Sequence, residues 1–104
     1  MVVDDLQIDR NRLARLCEQF GVERLEAFGS FSRGDARPDS DLDLLVTYRP
    51  DVTVGLDFVA LQRELEALFN RRVDLLTRRS VEQSPSKYFR RFALRETEAI
   101  YQSP

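Results

Sequence analysis

The run Leu42-Asp43-Leu44-Leu45-Val46-Thr47-Tyr48 constrains this chain more than any other segment. It is apolar at nearly every position after Asp43, and Arg49-Pro50-Asp51 ends it. A strand with one wet face alternates between apolar and polar residues, whereas a continuous apolar run marks a central strand buried on both faces. The chain is therefore expected to build a sheet around this segment and to cover it.

The flanking segments supply the cover. Asp9 is placed to cap a first helix in which Leu13, Leu16, Cys17 and Phe20 recur at i, i+3, i+4 and i+7, and Gly21 stands at its C′ position. Val22–Phe28 reads as a strand, although Val22, Leu25 and Phe28 do not alternate cleanly. Residues 29–40 hold Gly29, Gly34, Pro38 and several Ser and Asp, which is loop chemistry with one short helical turn. A second helix is predicted from Gly55 to Phe69, with Phe58, Leu61, Leu65 and Leu68 as its apolar stripe. Arg72–Thr77 reads as a third strand. Ser84 with Pro85 signals another helix start, and Tyr88, Phe89, Phe92 and Ala93 form its apolar side. Ala99-Ile100-Tyr101 fits either an extension of that helix or a short edge strand. The order α-β-loop-β-α-β-α belongs to the α/β (α+β) class, with one small β-sheet flanked by helices. No repeat or linker divides the 104 residues, so a single domain over residues 1–104 is expected.

Composition narrows the chemistry. The chain has no His and one Cys, Cys17. Ser-His-Asp and Cys-His catalysis, His-ligated or Cys-rich zinc and an internal disulfide are all excluded. Any catalysis must use carboxylates, hydroxyls, arginines or a borrowed cofactor. The acidic start Met1-Val2-Val3-Asp4-Asp5 is unlike a targeting segment, and no apolar run approaches the ~18 residues that span a bilayer. A cytoplasmic protein with no membrane association is expected. The net charge of −2 hides an asymmetry: residues 71–95 carry eight Lys or Arg against two acids, on an otherwise acidic chain. That stretch suits an anionic partner, whether nucleotide, nucleic acid or an acidic protein face, but it equally suits a solvated surface.

Residues 29–46 carry the functional signal. Asp41 and Asp43 lie two apart at the entrance of the central strand, so both carboxylates point to one side with Cα atoms about 7 Å apart. Leu42, Leu44 and Val46 point to the other side and anchor the strand. Such a pair repels itself, and a dication between the two carboxylates reverses the sign. Gly29-Ser30 closes the preceding strand, where glycine admits a close phosphate and the hydroxyl and backbone N–H groups donate to it. Ten residues then separate Ser30 from Asp41. A phosphate-gripping turn beside a metal-gripping pair is equipment for phosphoryl or nucleotidyl transfer. Asp35 after Gly34 rules out a Walker loop, and no Gly-x-Gly occurs for a dinucleotide fold. A third acid is needed to orient the attacking hydroxyl, and Asp74 in Arg72-Val73-Asp74-Leu75-Leu76 is the candidate. An acid inside so apolar a strand calls for a partner: a salt bridge to Arg71, Arg72 or Arg78, or a metal shared with a neighbouring strand.

Gly29-Ser30, ten residues, then Asp41-x-Asp43 resembles the signature of the DNA polymerase β-like nucleotidyltransferases. The small size, the run Gly-Ser-x-x-Arg-Gly-x-x-x-x-x-Ser-Asp-x-Asp-Leu and the later Val73-Asp74-Leu75 resemble its minimal nucleotidyltransferase subgroup. The resemblance extends from the first helix to Ile100-Tyr101; Ser32 stands where many relatives have Ala. It implies a small mixed sheet with the acids on adjacent strands. Asp41, Asp43 and Asp74 would be catalytic and would hold Mg²⁺, with Mn²⁺ an alternative, on the triphosphate of ATP. Gly29 and Ser30 would grip the phosphates, with Arg33 assisting. It further implies a HEPN-domain toxin as partner and AMP transfer to a tyrosine of that toxin, the chain being the antitoxin of a type VII-like pair.

Too short to hold an acceptor-binding domain, the chain must bind its acceptor on its own surface, for which residues 71–95 with Tyr88, Phe89 and Phe92 are candidates. The alternative to an enzyme is an antitoxin that neutralises the same partner by contact, its nucleotide site vestigial. Direct nucleic-acid binding ranks last, because the chain is net acidic and shows no helix-turn-helix signal.

Overall fold

The computed structural model describes residues 9–28, 41–52, 57–87 and 97–103. Its elements in order are α1 (Arg10–Phe20), β1 (Val22–Phe28), β2 (Leu42–Tyr48), α2 (Phe58–Phe69), β3 (Val73–Thr77), α3 (Arg78–Glu82) and β4 (Glu98–Gln102).

The first helix begins and ends as its sequence dictates. The Asp9 carboxylate accepts the Arg12 backbone N–H at 3.1 Å. Gly21 closes the helix in the left-handed region (φ 70°, ψ 32°), its N–H reaching the carbonyls of Cys17 and Glu18. A Cβ at this position would run into the Val52 side chain, so glycine is required both for its backbone conformation and for its lack of bulk.

The four strands form one mixed sheet in the order β3-β2-β1-β4. β1 runs antiparallel to both β2 and β4, while β2 and β3 are parallel. The parallel pair is joined through α2, the crossover such a pair needs. As the sequence predicts, β2 is central and buried on both faces: Leu42, Leu44 and Leu45 are fully buried and Val46 nearly so. Leu42, Leu44 and Val46 join the main core with Leu13 and Cys17 of α1 and Leu61 and Leu65 of α2. Each fully buried leucine there contributes roughly 1.5–3 kcal/mol. Leu45 belongs to a smaller cluster on the opposite face, with Phe28, Val81 of α3 and the partly buried Leu76. Among the described residues, two long helices thus cover one face and a helical turn covers part of the other.

The imperfect alternation of β1 has a physical cause. Leu25, Glu26, Ala27 and Phe28 are all buried, because both faces of the strand are covered there. Its register also shifts, between Val22 and Arg24 against β2 and between Leu25 and Glu26 against β4. The tail resolves as an edge strand, with Leu25 opposite Tyr101 and Ala27 opposite Glu98. The turn α3 follows β3 directly: the Thr77 hydroxyl accepts the Ser80 N–H at 3.1 Å and caps it. Five residues are too few for helical periodicity to appear in the sequence, so this element was not expected. The predicted start of α2 at Gly55 and the loop over 29–40 fall on residues outside those described. So does most of the aromatic helix after Pro85, of which only its beginning at Lys87 is described.

Candidate active site

The sheet register brings the predicted acids together. Asp43 and Asp74 are partners across the parallel β2–β3 pair, and Phe28 lies opposite Asp43 on β1. Register partners on adjacent strands sit about 4.8 Å apart and direct their side chains to the same face. The two carboxylates therefore share a face although 30 residues separate them in the chain. Asp41 precedes β2 and is exposed, Asp43 is half-buried, and Asp74 is exposed. The Leu42 N–H donates to the Arg72 carbonyl at 2.8 Å, which ties the entrances of β2 and β3 to each other beside these acids. Leu42 and Val73, one step from Asp43 and Asp74 in register, are buried on the opposite face and anchor both strands.

The structure corrects one premise. Asp74 is not buried within its strand: it is exposed on the edge strand β3, so no desolvation demands a partner. Nor does Arg78 supply one. Its Nη1 donates to Glu26 Oε1 at 2.7 Å and its Nε faces Glu82 at 3.2 Å. Among the described residues Asp74 forms no ion pair.

Glu26 is the charged group that the sequence reading missed. It is opposite Leu45, hence on the acid-bearing face, and is only 2% exposed. One carboxylate oxygen takes Arg78 at 2.7 Å and lies 3.5 Å from Arg24 Nε; the other accepts the Thr97 hydroxyl at 2.7 Å. Both oxygens are satisfied, so the buried charge is compensated rather than orphaned. Its signal in the sequence was a Glu inside the apolar run Leu25-Glu26-Ala27-Phe28.

The donor set at Asp41, Asp43 and Asp74 is all carboxylate oxygen, which suits a hard divalent cation and no soft one. Among the described residues no three His, Cys, Asp or Glu side chains are gathered tightly enough to hold a metal ion as they stand. What the backbone fixes is the pairing of Asp43 with Asp74; Asp41 lies just before β2 begins. Gly29, Ser30 and Arg33 lie outside the described residues. No helix among the described residues is long and apolar enough to cross a membrane.

Residues 10–100 match the family model described as a nucleotidyltransferase domain. The chain belongs to this family. It is 42% identical over 72 residues to the protein adenylyltransferase MntA of Thermococcus cleftensis, covering 69% of this chain and 72% of that one. A solved structure described as a minimal nucleotidyltransferase is 38% identical, covers 93% of this chain and 94% of its own, and superposes with a TM-score of 0.67. The mixed four-stranded sheet with its flanking helices is thus the minimal nucleotidyltransferase fold. A Shewanella oneidensis MNT antitoxin in complex with its tri-AMPylated HEPN toxin shares that fold at 19% identity, covering 90% of this chain and 70% of that one, with a TM-score of 0.58. The family's matched span includes all three acids.

Proposed function

We propose that this nucleotidyltransferase moves the adenylyl group of ATP onto a tyrosine hydroxyl of a HEPN-domain toxin, and so acts in the cytoplasm as that toxin's antitoxin. The observation that carries the reading is the register pairing of Asp43 with Asp74, with Asp41 two residues ahead of Asp43, just before β2 begins. Likeness to a protein adenylyltransferase supports the adenylyl group and the protein acceptor. The AMPylated toxin bound to the Shewanella antitoxin supports the HEPN partner.

Asp41, Asp43 and Asp74 are the residues that would hold Mg²⁺, or Mn²⁺ in its place. When bound, the metal neutralises triphosphate charge and polarises the phosphorus under attack. Gly29 and Ser30 receive the phosphates, assisted by Arg33. Asp74, exposed on the edge strand, takes the proton of the acceptor hydroxyl. The hydroxyl oxygen then bonds to the α-phosphorus as the bond to diphosphate breaks, and diphosphate leaves with its negative charge. The basic stretch 71–95, in which Arg72 and Arg79 are exposed, forms part of the acceptor-docking surface.

The test is adenylyl transfer from labelled ATP to the protein encoded beside this chain, with Mg²⁺ and after chelation. Asp43→Asn and Asp74→Asn are each expected to lower the rate by ~10²-fold or more while the two proteins still bind. Undiminished transfer by both variants would refute the site. A stable complex that neutralises the toxin with no transfer by the unaltered protein would mean an antitoxin acting by contact alone.

A further inference from the structure

We propose that Gln62 and Glu66 of α2 are positioning residues for Asp74, acting through the backbone of Val73. The inference rests on the reading of Asp74 as a site acid.

β3 is an edge strand of five residues, hydrogen-bonded to a neighbour on one side only. The start of such a strand is where fraying is easiest, and Asp74 is its second residue. The Arg72 carbonyl turns inward, to the Leu42 N–H at 2.8 Å. Successive residues of an extended chain alternate, so Val73 turns both its N–H and its C=O outward, away from β2. Neither is left to solvent. The Val73 N–H donates to Glu66 Oε2 at 3.0 Å, and the Val73 carbonyl accepts from Gln62 Nε2 at 2.9 Å. Two side chains one helical turn apart thus do for this residue what a fifth strand would do.

The helix that carries them is firmly seated. Leu61 and Leu65, each immediately preceding one clamp residue, are fully buried in the main core. Glu66 also holds the connection to β3 at its other end, since its own backbone carbonyl accepts the N–H groups of Asn70 and Arg71. Asn70 makes the reversal in the left-handed region at φ 53°. From Glu66 to Val73 the chain is closed on itself, and the next residue is Asp74. A displacement of about 1 Å at a catalytic group can cost ~10²-fold in rate, so a clamp at this point has catalytic consequences.

The experiment combines steady-state adenylyl transfer to the HEPN partner with amide hydrogen exchange on the full chain. Its variants are Asp74→Asn, Gln62→Met, Glu66→Ala and Glu66→Gln. Gln62→Met and Glu66→Ala are expected to lower kcat by ten- to a hundredfold with KM for ATP within about twofold. They should also speed exchange at the Asp74 amide while leaving Leu25 and Leu45 protected. Glu66→Gln keeps an oxygen for the Val73 N–H and should stay within about threefold of the unaltered rate. Full activity of Gln62→Met and Glu66→Ala beside an inactive Asp74→Asn would overturn the clamp and spare the site. A loss of rate accompanied by faster exchange throughout the sheet would also overturn it, by showing a structural effect only. Full activity of Asp74→Asn would overturn the site reading and the clamp with it.

Discussion

Glu26 shows how a single buried charge sorts the arginines of this face. It takes Arg78, one of the arginines that the sequence offered to Asp74, together with the Thr97 hydroxyl. Removing one member of a buried pair leaves its partner and the Thr97 hydroxyl uncompensated. Glu26→Ala is therefore expected to destabilise the fold by about 3 kcal/mol, the low end for such pairs because Arg78 is a third exposed. Urea unfolding measures this, and a loss below ~1 kcal/mol would show that the pair contributes no more than a surface bridge. Cys17 makes the opposite case, a group with no polar role. Burial in the core pushes its thiol up to about 12, from an ordinary value of 9.0. The folded thiol stays protonated where the unfolded one ionises, so its contribution to stability is intact below pH 9 and declines as pH rises toward 12. At pH 8 a thiol reagent is expected to label Cys17 only as fast as the chain unfolds; prompt labelling of the native protein would contradict its burial. The apolar side of Cys17 was legible in the stripe of α1, but the partners of Glu26 were not, because Arg78 and Thr97 are brought to it from 50 or more positions away.

At the scale of elements, what was legible depended on length and on repetition. The Leu13-Leu16-Cys17-Phe20 stripe, the Asp9 cap and the Gly21 stop placed α1, and the unbroken apolar run placed β2 at the centre. The turn α3 left no periodic trace, and β4 became a strand rather than a helix only because β1 offered it a free edge. Local chemistry still governs the junctions. Gly21→Ala forces a Cβ into a left-handed residue and against Val52, so a loss of about 2 kcal/mol or more is expected in thermal or urea unfolding. A neutral result would mean that the α1–β1 junction can relax, and that Val52 does not close over it.

For the molecule as a whole, the sheet order turns sequence separation into a site. Asp41 and Asp43 enter β2, Asp74 enters the parallel β3, and α2 makes the crossover that sets them side by side. The alternation of side chains made the first pair readable in the sequence. Asp74 was legible as a candidate, an isolated acid in an apolar strand, but its pairing with Asp43 was not, since no local pattern encodes which residues of two parallel strands meet. The most direct measurement is the intact mass of the protein encoded beside this one, after incubation with this protein, ATP and Mg²⁺. A gain of one or more adenylyl masses is expected, lost when Asp41→Asn and Asp43→Asn are combined. An unchanged mass with the unaltered protein, or an equal gain with the double variant, would contradict it.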